Sequence, residues 1–333
     1  MLAAFSLVIV MAGIASAEDS LRAQFEREYP AAQQRLRRAV DDASGFGHYD
    51  HIRHDFRKGE STTKRGEFHF FKSADSVRFH LLPADEANEP DEFVAIRRPG
   101  EVFGVRRSRQ GPAELELIAG KSLGKVRRVL GVYWRDYLAA CYSWFEHPVA
   151  DWLDREGLTV TRVEPYREQP GWIRVAFEYD GRHLFRNPDD CPPDYRGEGY
   201  WIFDPEQDWA IRKTWYRDRY SFEGEEFGSE DESVVTVQTF GSRVVPRRVG
   251  IISRRLNDAG SYEEVESKTF EFEEVAAGPI AAETFTLQAV GVADPRGLNR
   301  RFLLVNAGLL LVAGLFIAGL WIVRSRQRNR SQS

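Results

Sequence analysis

"FVAIRRPGEVFGVRR", residues 93–107, decides the fold class. Two apolar runs are joined by Arg98-Pro99-Gly100-Glu101, with proline second and glycine third in the turn. Proline presets the φ required at its position, and glycine accepts the positive φ that follows in a type II turn. The spacing predicts a tight antiparallel hairpin. Similar alternating runs flank it: "HYDHIRHDF" (48–56), "EFHFFK" (67–72) and "SVRFHLL" (76–82) before, "AELELIA" (113–119) after. Together they form a meander, in which strands adjacent in sequence pair antiparallel.

Two helical stretches interrupt this pattern. "EDSLRAQFEREYPAAQQRLRRAVDDA" (18–43) places Leu21, Phe25, Tyr29, Leu36 and Val40 at helical spacing, and Pro30 is expected to kink or split it. From Ser122 to Phe145 a second stripe runs through Leu123, Val126, Leu130, Tyr133, Tyr137, Leu138, Cys141 and Trp144, after which Pro148 can open a short helix. Strand patterns then resume with "LTVTRVEPY" (158–166), "WIRVAFEYD" (172–180), "GYWIFDP" (199–205), "WAIRKTWYR" (209–217), "SVVTVQTF" (233–240), "RVVPRRVGIISRR" (243–255) and "YEEVESKTFEFEEV" (262–275). Asn187 to Gly199 and the acidic run Glu223 to Glu232 are expected to be solvated surface loops. The fold class is therefore α+β: an antiparallel β-meander with an N-terminal helix and a central helical insertion.

The two ends speak to location. "MLAAFSLVIVMAGIASAED" (1–19) is an apolar run closing on Ala15-Ser16-Ala17, which suggests a signal peptide over residues 1–17, although the usual basic n-region is absent. Phe302 to Val323 is 22 residues without a charge, long enough for one C-terminal transmembrane helix, and Trp321 suits its interface. Arg324, Arg326, Arg328 and Arg330 follow, which favours a cytoplasmic C-terminus. Residues 18–299 are then an extracytoplasmic domain, 302–323 the span and 324–333 a basic cytoplasmic tail. No cysteine stands in a lipobox-like position after the leader, so no lipid anchor is expected.

Setting aside Arg300, Arg301 and the four tail arginines, the domain carries 40 Lys plus Arg against 51 Asp plus Glu, a net charge of −11. That excludes a nucleic-acid partner, which needs a basic face. Aromatics at 13% exclude a disordered chain. Cys141 and Cys191 could pair in an exported domain; the alternative is a buried helical thiol and an unrelated loop thiol. There is no G-x-S-x-G elbow, Walker loop or H-E-x-x-H helix, and the carboxylates are too many for one pair to stand out. No enzymatic activity and no cofactor are expected.

Five of seven histidines, His48, His51, His54, His69 and His80, fall within 33 residues. A hairpin loop at Lys58-Gly59-Glu60 would set His51 opposite His69, Ile52 opposite Phe68 and Asp55 opposite Arg65. A turn at Ala74-Asp75 sets His69 opposite His80, Phe70 opposite Phe79 and Phe68 opposite Leu81. The expected result is a row of His51, His69 and His80 on one face, with His48 and His54 on the other. Such a row is ordinarily the polar side of a half-buried sheet; a shared zinc is the minority reading.

"GYWIFDPEQDWAIRKTWYR" (199–217) is similar to the aromatic strand, Asp-Pro turn and following strand of the bacterial LolA/LolB-like lipoprotein-carrier and RseB-like sensor superfamily. The order of elements over some 230 residues also resembles it. The resemblance implies a curled, half-barrel-like sheet whose apolar concave face takes acyl chains or hydrophobic peptide, here in a bacterial cytoplasmic membrane protein. Unlike the family's soluble or lipid-anchored carriers, this chain has a span of its own. Phe68, Phe70, Phe79, Leu81, Trp201 and Phe203 are the residues expected to line an apolar hollow, or else to pack as an ordinary core. The leading reading is a tethered domain binding a lipid, acyl chain or hydrophobic peptide. The alternatives are a cell-envelope protein-interaction or signalling module and, last, a metal-dependent hydrolase.

Overall fold

The computed structural model describes residues 2–55, 59–74, 76–84, 91–108, 113–119, 137–144, 147–184, 194–222 and 224–293. A helix, α1 (Leu2–Val40), leads into strands β1 (Ala43–Asp55), β2 (Glu60–Ser73), β3 (Ser76–Pro83), β4 (Asp91–Arg98), β5 (Glu101–Ser108) and β6 (Ala113–Ala119). A short 3-10 helix, Tyr137–Cys141, a small hairpin of β7 (Ser143–Trp144) and β8 (His147–Pro148), and α2 (Val149–Leu153) follow. The chain returns through β9 (Leu158–Pro165), β10 (Ile173–Asp180), β11 (Arg196–Asp204), β12 (Ala210–Phe222), β13 (Glu225–Phe240), β14 (Arg243–Leu256) and β15 (Tyr262–Ala277).

Thirteen of these strands form one antiparallel sheet, in the order β6-β5-β4-β3-β2-β1-β15-β14-β13-β12-β11-β10-β9. Each of the two meanders grows between neighbours, and the seam between them joins the first strand to the last, with Tyr49 opposite Phe270. The hairpin at residues 93–107 forms as its turn chemistry requires: Arg98 pairs with Glu101 and Gly100 takes φ of 77°. The β2–β3 register also agrees with the sequence, His69 facing His80 and Phe70 facing Phe79.

The β1–β2 register does not. Ile52 lies opposite Thr63, His51 opposite Lys64, and Asp50, not Asp55, opposite Arg65. Charge complementarity is satisfied in the true register by the Asp50–Arg65 ion pair at 2.9 Å, so charges did not discriminate between the two. Glycine did. Gly45 and Gly47 face Phe70 and Phe68, whose rings lie across β1; a Cβ at either glycine would meet a carbonyl oxygen of β15, Glu274 or Glu271, at 1.9 Å and the ring tip at 2.8 Å. An odd shift in register exchanges the faces, so Tyr49 and His51 point inward while His48 is exposed.

The same device recurs in the other wing, where Gly197 and Gly199 of β11 face Tyr179 and Phe177 of β10. With rings folded over neighbouring strands the sheet curls. Phe79 on β3 approaches Phe270 on β15 to 6.2 Å between ring centroids, although three strand spacings would separate them by about 14 Å in a flat sheet.

Helix α1 lies against the inner face of the β9–β14 wing. It runs through Pro30 without a break, contrary to the expected split. The proline is exposed, while Phe25, Tyr29, Ala32, Leu36 and Val40 form one buried stripe on both sides of it. Burying those side chains at about 1.5 to 3 kcal/mol each outweighs the ~3 kcal/mol cost of an interior proline. The helix expected over Ser122 to Phe145 falls largely outside the described residues; its end is the 3-10 helix Tyr137–Cys141 and strand β7. Pro148 does open a helix, α2.

Two further features depart from expectation. Most of the acidic run is strand β13 rather than loop, because its carboxylates meet cations on neighbouring strands: Glu230 with Arg254 at 2.7 Å and Glu232 with Lys213 at 2.7 Å. Likewise Arg196 to Gly199, placed in the other loop, belong to β11. And β4 and β5 are buried on both faces. Val94, Ile96, Phe103 and Val105 are covered on the outside by Phe285, Leu287, Val290 and Val292 from the segment after β15.

Gly199→Ala is expected to lower stability by about 1 to 3 kcal/mol in urea denaturation, since its Cβ would meet the Phe177 ring at 2.6 Å. Gly278→Ala, in open space, is expected to be neutral.

Candidate functional site

The six residues expected to line a hollow are all buried, and they do not meet. Phe68, Phe70, Phe79 and Leu81 belong to one cluster with Leu36, Val40, Tyr137 and Phe270. Trp201 and Phe203 belong to a second, where Phe25 and Tyr29 of α1 pack on Phe203 at 5.3 and 4.8 Å. In that wing the helix occupies the concave face.

The other wing is closed differently. Over β1, β3, β4 and β15 the inner face is covered at Tyr137, whose ring stacks on Phe270 at 3.7 Å. Beside it a narrow crevice of about 20 Å³ is lined by the apolar Tyr49, Leu81, Phe93 and Phe270, with His51, Lys64 and Lys268 at its polar end. Arg106 sits over the ring of Phe93, one of the lining residues, at 5.8 Å. Two larger surface grooves, of about 640 and 800 Å³, are lined mainly by polar and charged residues such as Glu198 and Arg217, or Arg53 and Glu263, and do not suit an apolar ligand.

The polar end holds a buried ionic network. His51 donates from Nε2 to Glu266 Oε1 at 2.6 Å, and Lys268 Nζ donates to Glu266 Oε2 at 2.6 Å. Burial alone pushes the Glu266 carboxyl up; the hydrogen bond from His51 and the adjacent Lys268 ammonium outweigh it and bring it down to about 2. Towards the other end of β2, buried Lys72 donates to Tyr142 Oη at 3.2 Å, just past the 3-10 helix. Neither Glu266 nor Lys268 was a sequence candidate, yet a signal existed. In "ESKTFEF" (266–272) both share the phase of Phe270 and Phe272, which strand alternation sends inward.

The histidine row does not form. His51 faces inward, whereas His69 and His80 lie on the outer face with ring centroids 6.3 Å apart. His80 Nε2 lies 3.3 Å from Glu92 Oε2, and burial holds its basicity below the ordinary histidine range despite that carboxylate. Among the described residues no group of three or more His, Cys, Asp or Glu is placed to hold a metal. Cys141 is buried, its thiol directed at Leu138 O at 3.6 Å; Cys191 and the span Phe302 to Val323 lie outside the described residues. Among the described residues no helix is long and apolar enough to cross a membrane.

No family model and no curated protein matches the chain. Among solved structures it is similar to a LolA superfamily protein from Nitrosomonas europaea (10% identity, TM-score 0.41, 79% of this chain and 99% of that one). It is similar also to a domain named for outer membrane lipoprotein sorting from Vibrio parahaemolyticus (10%, 0.40, 78% and 100%) and to a DUF1329 family protein from Desulfovibrio piger (8%, 0.40, 79% and 99%).

Glu266→Gln is expected to cost on the order of 2 kcal/mol at neutral pH after allowance for solvent screening. Because the folded carboxyl titrates below its ordinary value of 4.5, its stabilisation is complete above that pH and is lost as pH falls towards 2. Urea denaturation at pH 7, 4 and 3 should therefore show the gap between wild type and variant closing with acid.

Proposed function

We propose that residues 18–299 form an extracytoplasmic domain, tethered by Phe302 to Val323, that holds an apolar ligand without chemical turnover: a lipid, an acyl chain or a hydrophobic peptide. The observation that carries this reading is the crevice beside Tyr137. Aromatic and aliphatic walls converge on a polar end at His51, Lys64 and Lys268, and no residue of α1 is among those that line it. At about 20 Å³ the crevice has room for roughly one water, whereas ligand sites run to about 300 Å³ and more. Binding therefore requires the Tyr137–Tyr142 turn to move off Phe270. In this reading the closed form has Tyr137 in the place of the ligand.

A second reading, a protein-interaction module of the cell envelope, has one observation in its favour. Phe227, Val234 and Phe240 of β13 are exposed large apolar side chains.

The purified domain is expected to release lipid on organic extraction, detectable by mass spectrometry, and to bind a fluorescent fatty acid saturably. Tyr137→Ala, which empties the closed site, should tighten that binding by about tenfold, and Leu81→Trp, which fills it, should weaken it by a similar factor. Absence of extracted lipid together with probe binding indifferent to both substitutions would decide for the interaction module.

A further inference from the structure

At the far end of the second cluster, two rows of side chains run across the inner face of β10 to β13. One is Tyr179, Gly197, Asp218 and Ser229; the other is Phe177, Gly199, Tyr216 and Asp231. The glycines make the first row what it is. A Cβ at Gly197 would lie 2.3 Å from the Tyr179 hydroxyl oxygen, so the tyrosine can lie across β11 towards β12 only because that side chain is missing.

Asp218 and Asp231 are 4% and 8% exposed, and among the described residues neither is in an ion pair. Hydrogen bonds divide them. Asp218 accepts from Tyr195 Oη at 2.7 Å, from Ser229 N at 2.8 Å and from Ser229 Oγ at 2.7 Å, which occupies both its oxygens. Asp231 accepts from Tyr216 Oη on one oxygen alone; Oδ1 is buried and has no hydrogen-bond partner. Tyr179 Oη, on a side chain 4% exposed, is likewise buried without one. Burial first, and then the nearby Asp218, Tyr195, Tyr216 and Asp231, push the Tyr179 hydroxyl well above the usual tyrosine range, so it stays neutral within a field of two carboxylates.

Two buried carboxylates with no ion-pair partner among the described residues are costly unless a positive group joins them. We propose that this cluster binds a small cation, with Asp231 Oδ1 and Tyr179 Oη as its protein ligands and Asp218 supplying charge rather than coordination. An all-oxygen set without histidine or thiol suits a hard ion such as Ca²⁺, which accepts waters in its remaining positions; a primary ammonium group would satisfy the same two oxygens. The site is separate from the crevice beside Tyr137 and does not depend on it.

Terbium reports on it directly, because Tyr179, Tyr195 and Tyr216 would sensitise its emission. The full chain in detergent is titrated with Tb³⁺ under excitation of tyrosine. The expected result is saturable emission, with affinity reduced at least about tenfold in Asp231→Asn and lowered in Tyr179→Phe. Displacement by Ca²⁺ assigns a metal site, and displacement by methylammonium but not Ca²⁺ assigns an ammonium site. Thermal melts supply a second readout: Ca²⁺ or methylammonium raises the melting temperature of wild type but not of Asp231→Asn, which melts no lower than cation-free wild type. Emission that does not saturate, or that is unchanged in Asp231→Asn, overturns the proposal and leaves an ordered water as the partner of both oxygens. So does failure of Asp231→Asn to fold, since the amide keeps the acceptor for Tyr216.

Discussion

Rings laid across glycines set the curvature from which the rest of this structure follows. In each wing a Gly-x-Gly strand faces a pair of aromatic residues on its neighbour, Gly45 and Gly47 under Phe70 and Phe68, Gly197 and Gly199 under Tyr179 and Phe177. A ring that occupies the place of its neighbour's side chain draws the inner surface together and leaves the outer surface spread. The trough so formed is deep enough for Phe25 and Tyr29 of α1 to reach Phe203.

The trough is filled unequally. Phe25, Tyr29 and Ala32 of α1 interlock with the second cluster, and displacing them would expose it, while Leu36 and Val40 further along the helix join the edge of the first. At the other wing, beyond Leu36 and Val40, the cover over Phe270 is one turn of 3-10 helix and the Tyr137 ring. The cost of opening differs accordingly, since a single turn buries far less apolar area than a long amphipathic helix. The ionic network of His51, Glu266 and Lys268 keeps its place at the weaker end, so polar groups sit where the core is least continuous.

Every strand of the large sheet was legible in the sequence, because alternation and turn residues are local signals. Gly100 and the Asp-Pro turn after Phe203 carry their own geometry. Pairing across the β1–β2 hairpin was not legible from charge. Asp50 and Asp55 are equally good partners for Arg65, and the contacts made where a Cβ is missing, with a ring of β2 and a carbonyl of β15, are non-local in character. Because side chains alternate, that one ambiguity inverted the face of every histidine on β1. The double-sided burial of β4 was visible in "FVAI", an unbroken apolar run, but which segment covers its back could not be read from residues so distant in sequence.

The seam between β1 and β15 bears on how such a chain reaches its native state. Tyr49 and Phe270 are neighbours in the sheet, yet more than two hundred residues of chain lie between them. Local hairpins on either side can close as they emerge, but β1 keeps an open edge until the last strand is made. For a polypeptide delivered from its N-terminus, the first meander must wait, with its aromatic inner face exposed, for a partner made more than two hundred residues later. Loop-closure entropy and transient stickiness thus fall together on the same strand, and kinetic protection of β1 becomes a requirement of the topology.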